Sequence, residues 1–205
     1  MAEIIPRFEF RTFAQTFGLV ADKIRRYSKC QDISESAEQY LVGSASGEHN
    51  VKVRGGRLDI KRLIEKRGQL ERWKPTAVES FPLSREFVRA TLLPALGLGD
   101  VELARSEYSI NDMLSDLAQP RKGIWLASVF KRRFRFSIDT CPTEIDDLLI
   151  NGAAISSVAV ESDNAEAVLA VMAKLGLTEY ENINYPLALR RIMGLAPLPK
   201  EGTHG

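Results

Sequence analysis

The feature that most constrains this chain is a run over residues 124–139 in which apolar and basic side chains alternate. Phe130, Phe134 and Phe136 fall on one side, and Lys131, Arg133, Arg135 and Asp139 on the other. A period of two means a β-strand, the longest candidate in the sequence. The same pattern recurs in shorter segments. Residues 4–13 set Phe8 and Phe10 against Arg7, Glu9 and Arg11, and a hairpin at Gly55-Gly56 joins a strand carrying Lys52 and Arg54 to one carrying Arg57, Asp59 and Lys61.

These polar faces, with Glu161 from a later strand, gather about nine basic side chains against about four carboxylates. A dry core cannot hold them, because each unpaired charge costs several kcal/mol to desolvate. The faces either look into bulk water from an open sheet or line a wet cavity. The phenylalanine-bearing faces also need cover, and helices packed outside a closed sheet would supply it. A barrel with an apolar exterior under helices and a charged lumen meets both demands.

Other elements follow from local signals. Helices are expected over 14–27, from the cap Ser84 to about Leu96, from the cap Asn164 over 165–175, and from near Pro186 to Met193, and residues 110–117 read as a short helix or a turn. Strands are expected over 38–42, over 69–74 with Pro75 closing it, over 101–108 and over 154–161. Residues 29–36 and 144–151 read as loops, the second with one helical turn as the alternative. The plan is an α+β fold of seven or eight mostly antiparallel strands with peripheral helices, in one domain over 1–195, followed by a flexible tail, 196–205.

Composition removes several classes of function. Charged residues are 27%, the hydrophobic set is 44% and the net charge is +1, so a folded protein is expected without a long-range field for nucleic acid or membranes. Two cysteines, Cys30 and Cys141, are too few and too far apart for a disulfide framework or a metal site. The only histidines, His49 and His204, fall in a turn and in the tail, which argues against a histidine-based metal centre or a catalytic triad. With no signal-like or membrane-length apolar run, the expected location is cytoplasmic, and a homodimer is allowed for.

Converging Arg and Lys side chains suit a chain of phosphates, since guanidinium forks pair with phosphate oxygens bidentately. Interleaved carboxylates suit Mg²⁺ or Mn²⁺ bound beside those phosphates. In the order of its motifs the chain resembles the CYTH superfamily, the triphosphate tunnel metalloenzymes, which include class IV adenylyl cyclases, thiamine triphosphatases and inorganic triphosphatases. Arg7-Phe8-Glu9-Phe10-Arg11 stands where that family has Glu-x-Glu-x-Lys. Lys52, Arg54, Asp59 and Lys61 resemble its paired basic strands, Lys131-Arg132-Arg133 its Lys-x-Arg element, and Val158 to Ser162 its second Glu-x-Glu strand.

The resemblance implies an eight-stranded antiparallel tunnel. It implies phosphate binding by Arg7, Arg11, Lys52, Arg54, Lys61, Lys131, Arg133 and Arg135, metal binding by Glu9, Asp139 and Glu161, and catalysis through Glu9 and Glu161. Two departures weaken the metal site: Arg7 and Ala159 stand at expected glutamate positions, and a cation at Arg7 repels a metal. Two functions follow as expectations. One is a Mg- or Mn-dependent hydrolase of a small triphosphate or polyphosphate; the other is a non-catalytic polyphosphate or nucleotide sensor or scaffold. RNA binding through the basic hairpin 52–67 is the least supported, since Trp73 is its only stacking platform.

Overall fold

A computed structural model describes residues 5–43, 47–99 and 101–198. Eight strands, β1 (Arg7–Ala14), β2 (Asp32–Gly43), β3 (His49–Arg54), β4 (Arg57–Arg67), β5 (Leu70–Ser80), β8 (Ile124–Ile138), β9 (Cys141–Ile150) and β10 (Ala153–Ser162), close into a barrel. Their order is β1-β10-β9-β8-β2-β3-β4-β5 and every pairing is antiparallel, β5 returning to β1. β6 (Leu83–Ser84) and β7 (Glu107–Tyr108) form a small separate ribbon. Of the two arrangements open to the charged faces, the closed one is realised.

The alternation read in the sequence decides which face is outside. Phe8, Phe10, Phe136, Val158 and Val160 point outward under α1 (Leu19–Tyr27) and α4 (Ala165–Leu175), packing on Ile24, Val168, Val171, Met172 and Leu175. A second outer layer covers β2–β4. Leu41, Val51, Val53, Leu58 and Ile60 lie beneath α2, a continuous helix made of Arg85–Phe87, a π-turn at Val88–Leu92 and Leu93–Ala95, and beneath α3 (Ile110–Leu117). Part of the phenylalanine face stays bare, since Phe130 is exposed between Ala37 and Leu149 on the neighbouring strands.

A third apolar cluster lies inside the barrel. Phe13, Tyr40, Val42, Ala127, Val129, Leu148 and Ile150 point inward at one end, and α5 (Tyr185–Ile192) caps them with Tyr185, Ala188 and Leu189. Tyr185 stacks on Tyr40 at 5.5 Å and meets Phe13 edge-on at 5.3 Å. The lumen is therefore packed at one end and polar at the other.

Helix caps fall where side-chain chemistry places them: Ser84, Asn164 and Asn184 each accept a backbone N–H of the first turn. Several expectations are corrected, among them the helix expected from residue 14, which begins at Leu19 because Ala14 still belongs to β1. Residues 32–36 extend β2 rather than forming a loop, because Asp32 and Glu35 pair with Arg135 and Arg132 across the ladder. Residues 141–150 are a full strand, with inward Glu144 and Asp146 alternating with outward Thr143 and Ile145. Pro75 does not end β5. It sits at a register shift, Ile60 opposite Ala77 and Lys61 opposite Pro75, the kind of irregularity at which a strand tolerates proline. Of 101–108 only Glu107–Tyr108 is strand.

His49 opens β3 rather than lying in a turn. Ile4, residues 44–46 of the expected turn, and 199–205 of the expected tail with His204 lie outside the described residues. Among the described residues no helix is long and apolar enough to cross a membrane.

Phe10 is fully buried between the barrel wall and α4. Phe10→Ala should lower stability by about 3–5 kcal/mol in urea titration, leaving a cavity that rigid strands cannot close.

Candidate functional site

The polar end of the lumen is a cavity of about 460 Å³. Its wall carries eight basic side chains, Arg7, Arg11, Lys52, Arg54, Lys61, Lys131, Arg133 and Arg135, and four acidic ones, Glu9, Asp59, Glu144 and Glu161. Tyr40, Asn184, Tyr185 and Pro186 complete it from the plugged end. A second recess of similar volume adjoins it, sharing Arg7, Glu9, Lys61, Trp73 and Glu161 and adding Ile5, Pro6, Pro75 and Asp163. Every phosphate-binding residue expected from the sequence lines the cavity, as do Glu9 and Glu161. Asp139 does not. It occupies the β8–β9 turn at φ 47° and accepts Lys174 Nζ at 2.8 and 3.0 Å, so it is corrected to a turn residue.

Inward positions on one strand lie two residues apart and therefore sit at successive depths. Along β1 the side chains of Arg11, Glu9 and Arg7 are 5, 21 and 54% exposed. Along β8, Lys131 is 2% exposed, and the side chains of Arg133 and Arg135 are 20 and 48% exposed. β3 repeats the trend from Lys52 to Arg54. The cavity is a well, with its floor at the apolar plug and its rim at the open end of the barrel.

The deepest cations are mostly committed to carboxylates. Arg11 donates to Glu9 at 2.7 Å, to Asp146 at 2.9 Å, to Ser157 at 3.0 Å and to Glu144 at 3.1 Å. Arg133 pairs with Glu144 at 3.2 Å and Asp146 at 3.3 Å. Burial alone would raise the carboxyl of Asp146, but Arg11, Lys131 and Arg133 outweigh it and hold the group below its ordinary range. On the other wall Glu38 accepts the hydroxyl of Tyr40 at 2.6 Å and faces Lys52 and Arg54 at 3.5 Å. Burial would raise Glu38 too, yet Lys131, Lys52, the Tyr40 hydroxyl and Arg54 bring it down to about 2.

Two groups are left under tension. Lys131 has no ion-pair partner among the described residues, and its Nζ lies 4.3 Å from the centre of the Tyr185 ring. Burial, only partly offset by Asp146 and Glu38, lowers its ammonium to about 7. Glu161 lies directly across the ladder from Glu9, with Arg7 at 3.8 Å. Burial and the carboxylates of Glu9 and Glu144 push it up to about 7.

Glu38, Glu144, Asp146 and Tyr185 were not recognised as site residues in the sequence. Glu144 and Asp146 fell in a segment read as a loop; their strand signal was the alternation with Thr143 and Ile145.

The side chains do not fit a divalent metal held by the protein. Among the described residues no group of three His, Cys, Asp or Glu is placed to share an ion. Glu9 is engaged by Arg11, Glu161 faces the Arg7 guanidinium, and Asp139 is elsewhere.

No family model matches the chain, and no curated protein matches it. Among solved structures, the PH1012 protein of Pyrococcus horikoshii OT3 is 17% identical, over 87% of this chain and 97% of that one, at a TM-score of 0.49. The proposed adenylyl cyclase HpAC1 of Hippeastrum, described as having a dominant triphosphatase activity, is 10% identical over 97% and 100%, at 0.49. A proposed adenylate cyclase of Bacillus halodurans is 13% identical over 89% and 97%, at 0.46. Likeness at this level assigns no activity.

Two measurements follow from the electrostatics. Asp146→Ala removes the more deeply buried of the two carboxylates that Arg11 and Arg133 share and should cost about 3–5 kcal/mol in denaturant unfolding. For Glu161 the folded value, about 7, lies above the ordinary 4.5. The fold disfavours its charged form, so the penalty is absent below 4.5, grows through that window and is complete above 7. Glu161→Gln should therefore raise the melting temperature at about pH 8 and leave it unchanged at about pH 4.

Proposed function

We propose that the well binds the anionic chain of a triphosphate or polyphosphate, and that it does so without a metal ion held on its own carboxylates. The observation that carries this reading is Lys131, a buried cation bordering a polar cavity with no carboxylate in ion-pair range. An unpaired charge at such depth costs several kcal/mol, and an oxyanion entering the cavity offsets that cost. Lys61 has the same character nearer the rim: it lines both recesses and has no hydrogen-bond or ion-pair partner among the described residues. Arg54, Arg133 and Arg135 leave N–H groups for further oxygens, each such charge-assisted bond contributing about 1.5–3 kcal/mol.

A chain of linked phosphates suits this arrangement better than a single oxyanion does, because the cations are distributed along the depth of the well. The four lining carboxylates limit the excess positive charge, which keeps the unliganded barrel closed against self-repulsion.

Hydrolysis is a second reading, and Glu161 favours it. A carboxyl titrating near neutrality beside a phosphate chain suits a general base that accepts a proton from an attacking water molecule. Glu9, bound to Arg11, would act by holding that guanidinium in place. No step runs through a protein-held metal.

The test is calorimetric titration with tripolyphosphate in EDTA, with Trp73 fluorescence as a second signal from the cavity wall. Binding should persist in EDTA, weaken as salt rises, and fall by about tenfold or more in Arg54→Ala and in Lys131→Met. Unchanged affinity in both variants would remove the reading. Phosphate release that disappears in Glu161→Gln while binding remains would establish the hydrolytic one.

A further inference from the structure

Three lysines line the well, and their amines are held differently. Lys52 faces Glu38 at 3.5 Å. Lys61 and Lys131 have no ion-pair partner among the described residues, but Lys61 is only half-buried, whereas Lys131 is 2% exposed. Lys131 stands between Ser36 of β2 and Leu148 of β9 in the ladder, so neither direct neighbour offers a carboxylate, and its Nζ lies over the Tyr185 ring. The two acids whose fields reach it are engaged elsewhere. Glu38 accepts from Tyr40, Lys52 and Arg54, and Asp146 from Arg11, Arg133, Ser157 and Tyr185.

This setting turns an ammonium group toward its neutral form. Burial disfavours the charge, Arg11 and Arg133 disfavour it further, and Asp146, Glu38 and the face of Tyr185 only partly oppose them. The amine is therefore half neutral at about pH 7, where a solvated lysine, with a pKa of about 10.4, is almost wholly protonated. A neutral lysine amine on the wall of a cavity is a nucleophile, most of all toward carbonyl carbon.

We propose that Lys131 is a nucleophile of the well, and that small aldehydes or ketones bearing a phosphate are captured there as reversible imines on its Nζ. This rests on the reading of the cavity as a phosphate site and adds a class of ligand held covalently. The lone pair of Nζ attacks the carbonyl carbon and a C–N bond forms. The C–O bond then breaks, and the two amine protons leave with the oxygen as water, so the step needs no oxidant or reductant. Arg133, the next inward residue on β8, lies about 7 Å nearer the rim and places a guanidinium where the phosphate of such a ligand would sit. On the other side, Tyr40 and Tyr185 offer an apolar wall to the carbon skeleton and limit the water that would hydrolyse the imine. A cavity of about 460 Å³ accommodates a ligand of this size.

The experiment incubates the full chain with pyridoxal phosphate or with pyridoxal, reduces any imine with borohydride, and maps the modified lysines by peptide mass spectrometry. Lys131 should be labelled about tenfold or more faster than Lys52, Lys61 or the exposed lysines at pH 7.5. With pyridoxal, which brings no phosphate, the rate at Lys131 should rise through about pH 7 and level off above it, because the amine is protonated below that value. Pyridoxal phosphate should react about tenfold faster than pyridoxal, and tripolyphosphate should protect. Label spread over the lysines according to their exposure, or absent from Lys131, would overturn the proposal, and tripolyphosphate binding in EDTA, measured on the same protein, would then show whether the phosphate reading survives. Equal rates for the two aldehydes at Lys131, with no protection, would leave the nucleophile standing and remove its phosphate seat. Lys131→Met should abolish the dominant adduct; the peptide map of the unaltered chain decides the matter even if that variant does not fold.

Discussion

The buried ion-pair knot centred on Arg11 and Asp146 is the interaction on which the rest of the barrel interior depends. Arg11 belongs to β1 and Asp146 to β9, with β10 between them. Ser157 on that intervening strand donates to the same carboxylate, and Arg133 on β8 and the Tyr185 hydroxyl on α5 converge on it as well. One fully buried carboxylate thus fixes four neighbouring strands and the capping helix relative to each other. The backbone of Arg11 extends the tie, its N–H donating to Asn182 and its carbonyl accepting from Ile183 in the segment that leads into α5. Such a knot contributes little net stability over an apolar filling, but breaking it leaves charges stranded, so it acts as a strong constraint on register.

That constraint explains why the lumen divides as it does. Below the knot the inward residues of β1, β2, β8 and β9 are apolar or aromatic, and above it the wall carries charge. Glu38, Lys52 and Arg54 balance one wall while Arg11, Arg133, Glu144 and Asp146 balance the other. Lys131 stands between the two networks and belongs to neither. Its exclusion is geometric, since Asp146 is already taken by Arg11 and Arg133, and Glu38 by Tyr40, Lys52 and Arg54.

Much of this was legible in the sequence because the strand period is two and the polar positions were basic rather than mixed. The faces of 7–11, 52–54, 57–61 and 131–135 all turned inward as their alternation required, and the helices at Ser84 and Asn164 began at their caps. What the sequence concealed was acid, and for a physical reason. Glu144 and Asp146 sit beside Asp147 and behind Pro142, and a cluster of acidic residues next to proline has the composition of a loop. Only a partner strand bearing Arg133 and Arg135 makes those residues good strand formers, since cross-strand charge pairing overrides local propensity. The bulge at Pro75 is similar, because the register shift that accommodates it is a property of two strands together.

The same pairing bears on why the expected metal ligands are not available. Arg7 on β1 lies beside Glu161 on the neighbouring strand β10, and Glu9 is bonded to Arg11 on its own strand. A divalent ion entering there would have to displace two guanidinium contacts and gain, at most, carboxylates already offset by those cations. Replacing a carboxylate by Arg7 therefore does more than remove a ligand. It places a guanidinium beside Glu161 while Arg11 holds Glu9, and among the described residues the lumen cations left without an ion pair are Lys131 at the floor and Lys61. The proposed preference for anions rests on that arrangement: guanidiniums already engaged at Glu9 and Glu161, and deep ammonium groups with no carboxylate in ion-pair range.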